Sequence, residues 1–258
     1  MTTIITDFSN VYSDFARFAG QEVIDCSMIE GTNCILDQEA EERLLEIIGP
    51  LRPDGGETSF PELHWLDSGD YHYLSKLWMD GIGEPFTLVL LDHHPDMQES
   101  QFGNMLSCGS WVRAAKLSNP HLEKVVMFGV ADELAAEAKE PYVTCICESK
   151  IKGMSPYNLE DFISTMNIGC NIYISIDKDV MSKKYAATNW DQGTMSLLQL
   201  EAMVNKILDG RRLLGVDICG EISESKGGSV DESLLNFRTN LELQTFFEKR
   251  MIERSIDY

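Results

Sequence analysis

The chain runs to 258 residues, 43% hydrophobic and 24% charged, a length and balance that fit one large folded domain with a sizeable core and exclude a disordered chain. Its 42 acidic against 21 basic residues give a formal net charge of -21. Such a surface repels nucleic acid and anionic lipid and argues against both as partners, while it favours cations, either metal ions or a positively charged small substrate.

The pattern along the chain alternates short apolar runs with amphipathic stretches. Thr3 to Thr6 is predicted as the first strand. Asp37 caps a helix over Gln38 to Ile48, in which Leu44, Leu45, Ile47 and Ile48 are apolar and Gly49 is the stop. His64 to Asp67 is a short strand running into Ser68-Gly69-Asp70, and a helix or turn carrying His72 follows through Leu77 and Trp78. Phe86 to Leu91 is continuously apolar, as a strand buried on both faces of a parallel sheet must be.

A helix over Gly109 to Leu117 precedes strands at Lys124 to Val130 and Tyr142 to Cys147. Then come a helix at Leu159 to Met166 and a strand at Asn171 to Ile176 with an acidic end. Ser196 and Gln199 form a capping box for a helix over Leu197 to Leu208, ended by Gly210. Arg212 to Ile218 is the last clear strand, and Glu232 to Glu253 is helical. With no linker rich in Pro, Gly or Ser, the alternation predicts a single α/β domain over 1–258, doubly wound on a mostly parallel sheet. The glycine pairs Gly55-Gly56 and Gly227-Gly228 lack the context and the Lys of a phosphate loop.

Seven cysteines, an odd number in mostly apolar surroundings, read as reduced thiols and point to a cytoplasmic protein. Met1 to Phe8 shows no secretory pattern, and no apolar run approaches the ~18 residues of a membrane span.

Three strand ends carry groups that bind cations. Asp92, His94 and Asp96 form D-x-H-x-D directly after the buried strand. Residues i and i+2 of an extended chain share a face, so Asp92 and His94 aim at one point, and Asp96 joins as the chain turns after Pro95. Asp177 and Asp179 form D-x-D by the same geometry, and His72 lies just past the strand at His64 to Asp67. Ligands of doubly wound sheets sit beyond the carboxyl ends of the strands, where all six fall. Each signal has a plainer reading taken singly: a lone D-x-D is a solvated turn and a lone His a loop residue. Together, four carboxylates and two imidazoles repel unless cations join them, and two divalent ions roughly balance the charge. Mixed oxygen and nitrogen donors suit Mn, Fe, Co or Zn. A water bridging two such ions becomes hydroxide near neutral pH.

At this point the sequence resembles the ureohydrolase family of arginases, agmatinases and formimidoylglutamases, over most of the chain from about His64. Ser68 to His72 (SGDYH) looks like the family's G-G-D-H with one residue added, Asp92 to Asp96 matches D-A-H-x-D, and Ser175 to Asp179 matches S-x-D-x-D. The resemblance implies a three-layer α/β/α fold. It implies two ions, usually manganese, one on His72, Asp92, Asp96 and Asp177 and the other on His94, Asp92, Asp177 and Asp179. It also implies a bridging hydroxide that attacks the planar carbon of a guanidino, amidino or formimino group, with a nearby Glu holding the cation. Relatives with this fold are often oligomers, so a homo-oligomer is admitted.

The chain departs from the family at three places. Cys108 stands where S-H-G-T carries a proton-shuttling His, Val180 to Gly193 replaces D-P-x-x-A-P-G-T-G, and Glu221 falls one residue late against the family's V-E. Glu221 reads either as a grip or base for the substrate or as an exposed strand-end acid. Cys108 reads either as a nucleophile or as a small buried residue near the site. His93 and Lys178, between ligands, face the other way, and Lys178 can pair with a neighbouring carboxylate. Asn189, Trp190 and Asp191 stand in a loop of the kind that lines pockets. Two alternatives stay open: a single-zinc amide hydrolase of deacetylase type, and a metal-binding protein without catalysis.

Overall fold

The computed structural model describes residues 2–19, 21, 23–52, 62–100, 103 and 105–256. Among these, eight strands form one parallel sheet: β1 (Thr2–Asp7), β2 (Val23–Asp25), β4 (Glu62–Trp65), β5 (Phe86–Leu91), β7 (Leu122–Val130), β8 (Val143–Cys147), β9 (Asn171–Asp177) and β10 (Arg212–Cys219). They lie in the order β2-β1-β4-β10-β9-β5-β7-β8. The remaining two, β3 (Ile35–Leu36) and β6 (Leu106–Ser107), make a separate antiparallel ribbon. Gly55 and Gly56 lie outside the described residues.

The order doubles back, so β9 and β10, late in the chain, fill the gap between β4 and β5. Such reversals open a crevice beyond the strand ends, and the central strands β4, β10, β9 and β5 all end there. Every residue of β5 is buried because the sheet is covered on both faces. Val89 and Leu91 face a core completed by α1 (Ser13–Ala19), α6 (Pro156–Ser164), α7 (Leu197–Leu208) and α8 (Val230–Ile256), the last through Leu243 and Phe247. Leu88 and Leu90 face a second core built with α2 (Gln38–Ile48), α3 (Leu74–Met79) and α4 (Trp111–Ser118). The architecture is therefore the three-layer α/β/α expected.

Local chemistry sets most boundaries. The Asp37 side chain accepts from Ala40 N and starts α2. Ser196 and Gln199 form the reciprocal capping box of α7. Gly49 does not stop α2 in the left-handed region: its φ is -50°, and the chain tightens into a 3-10 turn over Gly49–Leu51. The short elements α1, β2, β3, β6 and α5 (Glu148–Ile151) have no counterpart in the sequence reading. No described helix is long and apolar enough to cross a membrane.

Candidate metal centre

After β5 the chain leaves the sheet with Asp92, and the His94 backbone N–H donates to Asp92 Oδ1 at 2.6 Å. Asp96 turns back at φ +51°, and Trp111 Nε1 donates to its Oδ2 at 2.6 Å. After β9, Asp177 caps a 3-10 turn over Lys178–Val180 by accepting from Asp179 N at 2.9 Å. After β4, the residue added to the motif is taken up in a 3-10 turn, Gly69–Tyr71, which delivers His72 into the crevice. Gly69 gives this turn room: a Cβ there would stand 2.7 Å from Asp177 Oδ2 and 2.9 Å from the Trp190 ring and would push on both side chains.

The six predicted ligands meet. His72 Nδ1 lies 3.2 Å from Asp92 Oδ2, 3.2 Å from Asp96 Oδ2 and 3.8 Å from Asp177 Oδ2. His94 Nδ1 lies 2.9 Å from Asp179 Oδ2 and 3.6 Å from Asp92 Oδ1. Two triads with donor spacing suited to a cation result, His72-Asp92-Asp96 and Asp92-His94-Asp179, joined through Asp92. All six but His94 are buried. His72 Nδ1 and Asp92 Oδ2 are buried without a hydrogen-bond partner, an arrangement that costs stability unless something fills it.

The protonation behaviour says the same. Burial works against a charged His72, yet Asp92 and Asp96 beside it raise it well above the ordinary imidazole value. Burial opposes charge at His94 too, but Asp179 and Asp92 push it up to about 12. Burial and the neighbouring Asp92 charge lift Asp96 to about 6. Burial and nearby carboxylates raise Asp177 and Asp179 as well. At Asp92 burial opposes charge, yet the His72 and His94 rings beside it hold the carboxyl below the ordinary range.

Supporting contacts add residues that sequence reasoning did not assign. His72 Nε2 and Ser175 Oγ are 2.8 Å apart, and Ser175 Oγ lies 3.0 Å from Ser75 Oγ. This bond holds the ring so that Nδ1 faces the carboxylates. Ser175 belongs to the S-x-D-x-D motif, and two residues before Asp177 on a strand it shares that residue's face, which is the signal that could have found it.

Glu221 is elsewhere. Its Oε1 accepts from the Lys178 ammonium and from Asn240 Nδ2 at 2.7 Å, and its Oε2 from Asn236 Nδ2 at 2.8 Å. Lys178 is fully buried and also donates to Asn240 Oδ1 at 2.8 Å. Lys178 alternates with the two aspartates and so points to the α8 side of the sheet, taking Glu221 with it. This corrects the reading of Glu221 as an exposed acid: it is buried and paired with Lys178, and it is not among the residues lining the crevice.

The crevice opens into a cavity of about 220 Å³, below the ~300–1,000 Å³ typical of drug-sized ligands. Cys108, Cys34, Glu99, Glu137, Leu134 and Trp190 are among its walls, and among the described residues no Lys or Arg lines it. Cys108 stands opposite Cys34 across the β3–β6 ribbon, its N–H donating to Cys34 O at 2.9 Å. Its thiol is held far above the ordinary range, first by the hydrogen bond to Cys34 and then by burial. That direction does not favour a thiolate nucleophile. Trp190 is 41% exposed, its ring edge-on to His94 at 5.8 Å, and its Nε1 donates to Asp70 Oδ1 at 2.9 Å.

Residues 68–223 match the arginase family profile. The chain belongs to the arginase family. An uncharacterized protein of Thermotoga maritima is 30% identical over 253 residues, covering 95% of this chain and 90% of its own. Among solved structures, a hypothetical agmatinase from Burkholderia thailandensis superposes with a TM-score of 0.65 at 16% identity, covering 97% of this chain and 87% of that one. A Trypanosoma cruzi formiminoglutamase, described as holding Mn2+, superposes with a TM-score of 0.65 at 14% identity, covering 92% and 89%. At such identities the superpositions speak for the fold.

Proposed function

We propose that this chain, acting as one domain over 1–258, is a metal-dependent hydrolase of linear C–N bonds in a small guanidino, amidino or formimino compound. The observation that carries the reading is the pair of triads sharing Asp92, with His72 Nδ1 and Asp92 Oδ2 buried and unpartnered. Those residues fit two divalent ions: His72, Asp92, Asp96 and Asp177 would hold one, and His94, Asp92, Asp177 and Asp179 the other. An oxygen-rich donor set suits manganese, with Zn, Fe or Co as alternatives. When bound, such ions supply Lewis acidity and water activated near neutral pH.

The chain's own residues do the remainder. Trp111 and Ser175 fix the orientations of Asp96 and His72 before any ion arrives. The cavity volume favours a small substrate, and Glu137 in its wall favours a cationic one. With Glu221 engaged by Lys178 and Glu99 lying 3.8 Å from Arg113 Nη1, Glu137 is the wall acid best placed to meet a cationic group. Cys108 sits close enough to line the bound substrate but offers no basic nitrogen to shuttle protons.

A two-ion set argues against the single-zinc amide hydrolase. The test is a panel of amidines and guanidines, offered to manganese-loaded protein, with urea, ammonia or formamide as readout. Release from any member, abolished in Asp92→Ala, supports the reading. An inactive panel at two bound ions per chain would leave a metal-binding protein without this catalysis.

A further inference from the structure

Cys219 ends β10 at the centre of the sheet, register partner of Asp177 on β9. It is fully buried, and its Sγ lies 3.1 Å from Asp177 Oδ2. That oxygen also faces His72 Nδ1 at 3.8 Å, and one ligand atom from each of His72, Asp177 and Cys219 lies within 4.8 Å of the other two. His72 Nδ1, which faces Asp177 Oδ2, is the buried, unpartnered nitrogen already described.

The backbone keeps the sulfur there. Gly220 follows at φ +94°, and a Cβ on it would stand 2.4 Å from Asp177 Oδ1 and 2.7 Å from Lys178 N. The end of β10 is thus packed directly onto the ligand-bearing turn of β9, and only glycine allows that approach.

We infer that Cys219 is a sulfur ligand of the ion held beside His72. The inference rests on the metal-binding reading above and deepens it, because it makes the two positions chemically unequal. The ion beside His72 would meet nitrogen, oxygen and sulfur, whereas the ion beside His94 would meet nitrogen and oxygen only. Thiolate ligation selects borderline metals, so zinc, cobalt or ferrous iron is favoured over manganese at the first position. Coordination exchanges the S–H proton for the metal: one proton leaves to solvent, a sulfur–metal bond forms, and no electrons are transferred.

The experiment is cobalt(II) titration of metal-free, full-length protein, followed by absorbance and by equilibrium dialysis. The expected result is a near-ultraviolet sulfur-to-cobalt charge-transfer band that saturates at one equivalent per chain, and its loss in Cys219→Ser while cobalt still binds. X-ray absorption of the zinc-loaded wild type needs no variant, and there a sulfur neighbour at about 2.3 Å is expected. Cobalt bound with no such band, and zinc with no sulfur neighbour, would overturn the inference and leave the two-ion reading standing, with Cys219 only a hydrogen-bond donor to Asp177. Failure of the protein to bind cobalt or zinc would overturn both.

Discussion

Asp177 and Lys178 are neighbours on one turn, yet they serve two regions built to different rules. On the α8 side, Lys178, Glu221, Asn236 and Asn240 form a closed set: one buried ammonium, one buried carboxylate, and amides that donate to the carboxylate or accept from the ammonium. On the crevice side, four aspartates and two histidines converge, and buried polar atoms remain without partners. The first region is complete as protein. The second gathers carboxylates that the protein itself does not neutralise, and burial together with their neighbours' charge raises Asp96, Asp177 and Asp179. Burial and charge alone do not mark a functional site. Charge that the protein leaves unbalanced does.

The largest effect that would sharpen this contrast is expected from Asp92→Ala. Asp92 is the member common to both triads, so its loss should take metal content from two ions to fewer than one per chain and hydrolysis to background. Elemental analysis of protein purified without chelator checks it, with far-ultraviolet circular dichroism to show that the fold remains. Retention of both ions would break the comparison.

Lys178→Met should behave oppositely. Removing the ammonium leaves Glu221 as a buried, uncompensated charge, which typically costs about 3–5 kcal/mol. Urea denaturation should show that loss, while folded protein binds its metals in the same number. Adding Glu221→Gln to Lys178→Met should recover part of it, since the stranded charge is then gone. If Lys178→Met instead emptied the metal site at unchanged stability, the two regions would not be independent.

The crevice side was largely legible in the sequence. D-x-H-x-D and D-x-D stand at the ends of continuously apolar strands, and the period of two predicts which side chains share a face. The same period assigns Lys178 away from the ligands. Glu221 was not legible as a structural acid, because its fate depends on the reach of Lys178 and on Asn236 and Asn240, contributed by a helix that follows it. Trp111 on Asp96, Ser175 on His72 and Cys219 on Asp177 also require the tertiary fold: Ser175 is 103 residues from His72 in sequence. Among the secondary elements, β2 is only three residues long, Val23-Ile24-Asp25, too short to show the alternation by which a strand is read.

The crevice side also responds to pH. Asp96 is raised to about 6 in the metal-free protein, against an ordinary value of 3.8. Between those values the native state keeps a proton that the unfolded chain has lost, so this group makes metal-free stability fall as pH rises through about 4 to 6. His94, raised to about 12, has the same sign: its contribution is full below about 6.5 and is lost as pH climbs toward 12. Metal binding runs the other way, because the ligands must shed those protons. The melting-point gain from manganese over chelator should therefore be larger at pH 7.5 than at pH 5. An equal gain at both would mean that the six residues are not the ones the metal meets.

The smallest effect should come from Ser175→Ala. Ser175 touches no proposed ion position: it meets the far nitrogen of His72, at 2.8 Å, inside the core. Alanine removes that partner, leaves a buried ring nitrogen unsatisfied and frees the imidazole to turn or to change tautomer. Loss of such an outer contact costs roughly 10–100-fold in metal affinity. The loss should fall on the ion beside His72 and spare the one beside His94, which has its own contacts to Asp179 and Asp92. Calorimetric titration should then resolve a weakened and an unchanged site. Equal weakening of both would mean that Asp92 couples them too tightly to be treated as separate positions, and a single wild-type-like isotherm would mean that the carboxylates hold His72 in place without help from Ser175.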